Sequence, residues 1–202
     1  LALDARFALA RAALSEVHGR MYFFRYDPSS ARATRGREEA EAALRFAPDL
    51  PESHVAMGLA HYWGRRDYRR ALQEFRIGLE GLPNNSELWV LIGWVHRRLG
   101  NWDEVLAAFD KATRLAPRDA NLFYSLGGDT YRTMRRYAQA VRAYDQALIL
   151  APDLHVAAVQ KGWTYVIWHG QLDTLRGVLN RVPRDADLGS LWTRAAQHVR
   201  LL

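Results

Sequence analysis

The stretch LWVLIGWVHRRLGNWDEVLAAFDKATRLAP, residues 88–117, decides the fold of this chain. Apolar residues recur in it at spacings of three and four on both sides of a short polar break, and this pattern predicts two amphipathic helices. Pro117 ends the stretch, since proline cannot continue a helix and biases the residue before it away from helical geometry. The stretch therefore predicts one helical hairpin.

The same unit recurs along the chain at an almost constant interval. Four prolines, Pro48, Pro83, Pro117 and Pro152, are separated by 35, 34 and 35 residues. Each is followed ten residues later by a glycine, at Gly58, Gly93, Gly127 and Gly162. Twelve residues before the last three prolines stand Ala71, Val105 and Ala140, and eight before them stand the aromatics Phe75, Phe109 and Tyr144. Such constancy predicts repeated hairpins.

The glycines and aromatics have a mechanical role in this interpretation. Glycine lets the two helices of a hairpin approach closely, and the aromatic of the second helix fills the space beside it. We expect the small residues Gly78, Ala112 and Ala147 to do the same for the next hairpin. The spacing from glycine to the second helix is thirteen, twelve and thirteen residues in the three best units, and we expect the variable residue in the turn.

These residues resemble the tetratricopeptide repeat family. Its 34-residue pattern is best matched by Trp89, Ile92, Gly93, His96, Trp102, Val105, Phe109, Ala112 and Pro117. The resemblance implies a right-handed all-α solenoid of antiparallel helix hairpins whose first helices line a concave groove. In this family such a groove receives an extended peptide or a helix of a partner.

We expect a single solenoid domain over residues 1–202, with about eleven helices. Its predicted parts are an atypical first repeat (1–48), complete repeats (49–83, 84–117 and 118–152), a degenerate repeat (153–183) and a capping helix (187–200). The match decays outward, as terminal repeats of a solenoid do. Leu1 is not a methionine, which suggests a processed chain or a piece of a longer one.

Composition narrows the functional classes. The chain has no cysteine, which excludes disulfides and thiolate chemistry, and no apolar run long enough to span a membrane. The N-terminus lacks the pattern of a signal peptide, so we expect a cytoplasmic protein. A formal net charge of +6 favours anionic partners.

Positions on the first helices that stacking does not require predict the partner site. They lie one residue after, five after and three before the repeat glycines. The predicted groove is apolar and aromatic with arginines at its edge, residue types enriched in binding hot spots. Its residues are Leu59, Trp63, Val90, Trp94, Arg98, Tyr124, Arg132 and Trp163. For each tryptophan, packing against a neighbouring helix or against the long N-terminal helix is an equally good interpretation.

Arginines also cluster in the turns between paired helices. The predicted basic edge consists of Arg65, Arg66, Arg69, Arg97, Arg135 and Arg136. Such an edge could bind acidic protein segments or nucleic-acid phosphates. The ordinary alternative is that exposed helix ends favour arginine for solubility and for the helix dipole.

No catalytic pattern emerges. None of the seven histidines stands in a metal-ligand motif, and His61 and His96 occupy the aromatic position of the repeat, which favours packing. We therefore expect a non-catalytic protein-binding scaffold without cofactor or metal, whose partner is another protein or a domain of the same polypeptide. A nucleic-acid-associated module that uses the basic edge is the alternative, and the oligomeric state stays open.

Overall fold

The structure is a computed structural model, and it describes residues 5–183 and Ala186. Within that part the chain forms ten α-helices and no strand. They are α1 (Ala5–Phe23), α2 (Ser30–Phe46), α3 (Pro51–Leu59), α4 (Tyr68–Gly81), α5 (Ser86–Leu99), α6 (Trp102–Leu115), α7 (Ala120–Ser125), α8 (Tyr137–Leu150), α9 (His155–His169) and α10 (Leu172–Leu179). The capping helix predicted at residues 187–200 lies outside the described residues.

Consecutive helices pair as hairpins: α1 with α2, α3 with α4, α5 with α6, α7 with α8, and α9 with α10. The predicted all-α class, a solenoid of helix hairpins, is therefore confirmed for the described residues. The chain divides into two compact units, Leu1–Leu115 and Ala116–Leu202. Three hairpins belong to the first unit and two to the second, and the single domain remains a prediction.

Polar residues fix where several helices begin. Ser29 caps α2, because its hydroxyl accepts a hydrogen bond from the backbone N–H of Arg32 at 3.3 Å. The carboxylate of Asp67 and the amide oxygen of Asn85 do the same for α4 and α5. These caps satisfy backbone donors that have no partner inside the helix.

The repeat glycines lie against the large residues of the second helices, as the sequence predicts. A Cβ atom at Gly58 would lie 2.4 Å from Cε1 of Phe75, and one at Gly93 would lie 3.2 Å from the ring of Phe109. Both aromatic rings are fully buried. A side chain at Gly58 would therefore force the two helices apart or the ring out of its place.

Gly78 differs from the expectation. The atoms nearest to a Cβ at this position belong to Val55 and to Pro51, at 2.8 and 3.2 Å, and both residues are on α3. Gly78 thus packs against α3, the first helix of its own hairpin. The sequence interpretation, in which Gly78 makes room for the next hairpin, is therefore wrong. The reason is that α4 runs back along α3, so small residues are needed twice within the same hairpin.

The variable residue also lies elsewhere than expected. Only two residues, Arg66 and Asp67, directly precede α4 outside a helical segment, and two residues, Gly100 and Asn101, separate α5 from α6. The spacing from the repeat glycine to the second helix is nevertheless one residue longer in the hairpin of α3 and α4. The extra residue is taken up inside the first helix, where α3 continues into a π-helical segment over Ala60–Arg65. The second long spacing coincides with another such segment, Leu126–Arg132. A wider helical turn accommodates one residue without changing the connection.

Arg66, which follows the π-helical extension of α3, has left-handed backbone geometry. We therefore expect Arg66→Gly to stabilise the first unit. Arg66 has a φ of 55°, and the corresponding position after α5 is Gly100, with a φ of 78°. A side chain in this region costs about 1–2 kcal/mol, of which glycine's larger unfolded-state entropy returns part. We expect a net gain of about 1 kcal/mol, measured by chemical unfolding.

Arg76→Gly is the matched control, because Arg76 is also exposed but lies within α4. Glycine in a helix interior costs about 1 kcal/mol, so this variant should be less stable than the parent. Equal losses in both variants would contradict the strained conformation of Arg66.

Candidate functional site

A cavity of about 360 Å³ in the first unit is the candidate binding site. Residues of three helices wall it: α1, α3 and α5, the first helices of the three hairpins of this unit. Four of the predicted groove residues line it, namely Leu59, Trp63, Val90 and Trp94. The structure therefore gathers the predicted residues of the first unit around one apolar concavity, with Arg98 exposed at the end of α5.

These four residues do not contribute equally to the surface. Leu59, Trp63 and Val90 are only 3%, 5% and 5% exposed, so they form the floor of the cavity. Trp94 is half-buried and offers more of its ring to solvent. A partner would therefore contact Trp94 and the walls more than it would contact the indole of Trp63.

The N-terminal helix explains the burial of Trp63. A Cβ at Gly19 would lie 2.5 Å from Cε3 of Trp63, so the missing side chain at Gly19 makes room for the indole. The ring of Phe23 stacks on the same indole with centroids 5.8 Å apart. Of the two interpretations open from the sequence, packing against a neighbouring helix holds for Trp63.

Sequence reasoning missed the contribution of α1 to the cavity. Leu9, Ala13, Glu16 and Arg20 line it from α1, and Phe24 lines it just after that helix. Their spacings of four, three, four and four residues place them on one helical stripe. This stripe was visible in the sequence, but no glycine or proline marks α1 as part of a repeat.

Charged groups at the cavity are mostly acidic. Glu16, Glu52 and Glu87 line it, and Arg20 is the one cation among its lining residues. The Nη2 atom of Arg20 lies 2.7 Å from Oε1 of Glu16 and 3.4 Å from Oε1 of Glu87. Arg20 thus bridges α1 to the start of α5 through exposed ion pairs, which contribute little to stability.

The predicted groove residues of the second unit have other surroundings. Tyr124 is half-buried, with its ring 6.2 Å from that of Tyr144. Arg132 donates a hydrogen bond to the side chain of Gln160, which is buried. Trp163 packs against the apolar cluster of Val159 and its neighbours. All three are therefore engaged within their own unit, and their role in binding remains a prediction.

Most arginines of the predicted basic edge are exposed, and the edge itself remains a prediction. Arg65, Arg66 and Arg69 are exposed where α3 passes into α4. In the second unit Arg135 and Arg136 are exposed as well, just before α8, whereas Arg97 on α5 is half-buried. Five of the six predicted positions thus present an accessible side chain.

The described residues contain no cluster of three or more histidine, cysteine or acidic side chains that could hold a metal ion. His61 and His96 are buried, at 6% and 7% exposure, as packing residues of the repeat. Across the same part of the chain, none of the helices combines the length and the apolar character needed to cross a bilayer.

Burial makes the first unit sensitive to acid, and we expect its stability to fall below about pH 6.5. Burial lowers the pKa of His61 and of His96, and it outweighs the opposite effects of Asp67 on the pKa of His61 and of Glu104 on that of His96. Below the ordinary histidine pKa the unfolded chain takes up protons that the folded chain resists, so acidification favours unfolding. Thermal unfolding followed between about pH 7.5 and pH 5.5 measures the loss.

The double variant His61→Phe/His96→Phe should have a flatter pH profile, because an aromatic ring fits this position and does not titrate. Its remaining slope would include His18, whose pKa is lowered by burial and by the neighbouring Arg32. An unchanged pH profile in the double variant would contradict the assignment.

The sequence of this chain is similar to that of known repeat proteins. The tetratricopeptide repeat model matches residues 86–119, and a second model of the tetratricopeptide repeat matches residues 125–154. The protein O-mannosyl-transferase Tmtc3 of Drosophila melanogaster is 30% identical over 86 residues, which is 43% of this chain and 9% of that protein. The chain thus spans less than a tenth of this relative.

Solved structures share the fold at low identity. A thermophilic TPR protein of Thermus thermophilus superposes with a TM-score of 0.70 at 18% identity, covering 93% of this chain and all of that one. YrrB, described as a TPR protein with an unusual peptide-binding site, superposes with a TM-score of 0.60 at 17% identity, covering 90% of each chain. Identities this low establish the fold and nothing more specific.

Proposed function

Because the chain belongs to the tetratricopeptide repeat family, we propose that it is a non-catalytic scaffold that binds a peptide or helix of another protein in the cavity of its first unit. Proteins of this fold generally bind other proteins or peptides. A cytoplasmic location, as the sequence predicts, is part of the proposal.

The cavity lined by the first helices of successive hairpins is the observation that supports this proposal. It has an apolar floor, a half-buried tryptophan at Trp94 and a volume within the range of ligand sites in proteins. Aromatic side chains in such concavities contribute large contact area at a low cost in entropy. A peptide-binding site occurs in the structurally similar YrrB, which supports the same use of the fold here.

Selection from a displayed peptide library on the immobilised chain tests the proposal. We expect selected peptides to lose at least about tenfold in affinity on Leu9→Asp, because Leu9 lines the cavity and a carboxylate there would oppose an apolar contact. Ile77→Asp is the matched control: Ile77 is exposed to 43% against 40% for Leu9, and it lies on α4 outside the cavity lining. Equal affinities for both variants would reject the cavity as the site.

The exposed arginines favour a second candidate function, the binding of acidic segments or nucleic-acid phosphates at the basic edge. Three cations lie close together in the sequence here: Arg65 ends the π-helical segment, Arg66 follows it, and Arg69 lies in the first turn of α4. Nucleic-acid binding through phosphate contacts weakens steeply with salt and should depend on the arginines of the basic edge, whereas peptide binding in the cavity should not depend on those arginines. Titration of a single-stranded oligonucleotide at two salt concentrations, with Arg65→Gln/Arg69→Gln as the variant, distinguishes the two.

A further inference from the structure

We propose that the occupant of the first-unit cavity is a cationic apolar segment, in which large apolar side chains are flanked by lysine or arginine. This inference rests on the proposed function and specifies the chemistry of the partner. It runs against the net charge of the chain, which is +6 and would by itself favour an acidic partner.

The shape of the cavity sets the apolar part of the occupant. Its floor is formed by Leu59, Val90 and Trp63, and its walls by Leu9 of α1 and Leu91 of α5. A volume of about 360 Å³ admits a few large side chains but no folded domain. The occupant must therefore present apolar side chains on a narrow element such as an extended strand or a helix face.

The charges set the polar part of the occupant. Three carboxylates, those of Glu16, Glu52 and Glu87, line the cavity together with one guanidinium, that of Arg20, which leaves two negative charges in excess. These carboxylates come from α1, α3 and α5, the three helices that wall the cavity. A cation beside a bound apolar side chain would therefore meet carboxylates among the residues that line the same cavity.

Arg20 already shows where such a cation would bind. Its guanidinium reaches across from α1 and contacts Glu16 and Glu87, and its side chain is 51% exposed. Exposed ion pairs of this kind are weak and exchange readily with other cations. A lysine or arginine of the partner can therefore replace Arg20 at these carboxylates without a large change in the fold.

Three short peptides of identical apolar sequence test this inference. They consist of leucine and phenylalanine interspersed with lysine, with glutamate or with glutamine, and their binding to the full chain is followed by fluorescence anisotropy. We expect the lysine peptide to bind at least about tenfold more tightly than the glutamate peptide, with an affinity that falls as salt is added. Equal or tighter binding of the glutamate peptide would overturn the inference.

Substitutions of the charged residues that line the cavity test the preference for a cationic partner within the protein. Glu52→Gln/Glu87→Gln should lower the affinity for the lysine peptide about tenfold, whereas Glu38→Gln/Glu80→Gln should leave it unchanged, because those two carboxylates are exposed but do not line the cavity. Arg20→Gln should raise the affinity, since it removes the competing cation. A merely structural role of Arg20 predicts a loss instead, and that result, or equal effects of the two glutamate pairs, would count against the inference.

The outcomes separate this inference from the proposed function. If Leu9→Asp weakens all three peptides while the charge changes have no effect, the cavity binds apolar segments and only the cationic partner is rejected. If Leu9→Asp weakens none of them, the proposed function fails as well. If light scattering finds a dimer that Leu9→Asp dissociates, the occupant is a second copy of the chain and the inference is overturned.

Discussion

Replacing Phe75 with alanine is expected to lower the free energy of unfolding of the first unit by about 3–5 kcal/mol. The ring of Phe75 is fully buried between α3 and α4, and it belongs to the core that also contains Leu59, Tyr62 and Leu88. Its removal leaves a cavity in addition to the lost transfer free energy. Chemical denaturation followed by circular dichroism measures the change in the midpoint and the slope.

A second substitution tests whether the glycine and the aromatic act as a pair. In the parent chain Gly58→Ala should be destabilising, because its Cβ would lie 2.4 Å from the Phe75 ring. In the Phe75→Ala background the same change should be neutral or stabilising, since the space is free and alanine favours the helix by about 1 kcal/mol. Additive effects of the two changes would contradict the close contact between these helices.

Trp63→Ala is expected to have an effect of similar size, about 3–5 kcal/mol. The indole is 5% exposed and joins two hairpins, because α1 packs on it through Gly19 and Phe23. Its loss should therefore release α1 from the rest of the unit and remove one wall of the cavity. Amide hydrogen exchange along α1, with the unfolding midpoint, measures both consequences.

Trp168→Ala provides the comparison for this prediction. Trp168 is 40% exposed and contacts other rings near the end of α9. The centroids of its ring and of the His169 ring are 4.2 Å apart. We expect a loss of about 1 kcal/mol or less, as for most surface changes. A comparable loss in both variants, or unchanged exchange along α1 in Trp63→Ala, would contradict the described docking of the N-terminal helix.

The helices and their pairing could be predicted because they depend on local patterns. Pro83 and Pro117 mark the ends of hairpins, and the spacing from Gly58 to Phe75 encodes a contact that the structure contains. These are interactions within about 35 residues, repeated along the chain. Repetition turns a weak local signal into a secure one.

The packing of α1 on the cavity and the ion pair between α1 and α5 could not be predicted in the same way, because they depend on contacts between hairpins that the repeat pattern does not encode. That Trp63 is covered by α1 follows from Gly19, a glycine outside the repeat spacing. The bridge from Arg20 to Glu87 joins residues 67 positions apart, and no periodicity predicts such a pair. Likewise, helical periodicity cannot distinguish a π-helical segment from a longer turn, so the variable residue was expected in the connection rather than in α3.

Amide hydrogen exchange of the chain with and without a library-selected peptide locates the bound partner on the molecule. We expect slower exchange in residues 9–24, 52–63 and 82–94, which contain the lining residues of the cavity, and no change in residues 137–179 of the second unit. Protection confined to residues 64–70, where the exposed arginines lie, would contradict this expectation and place the partner on the basic edge.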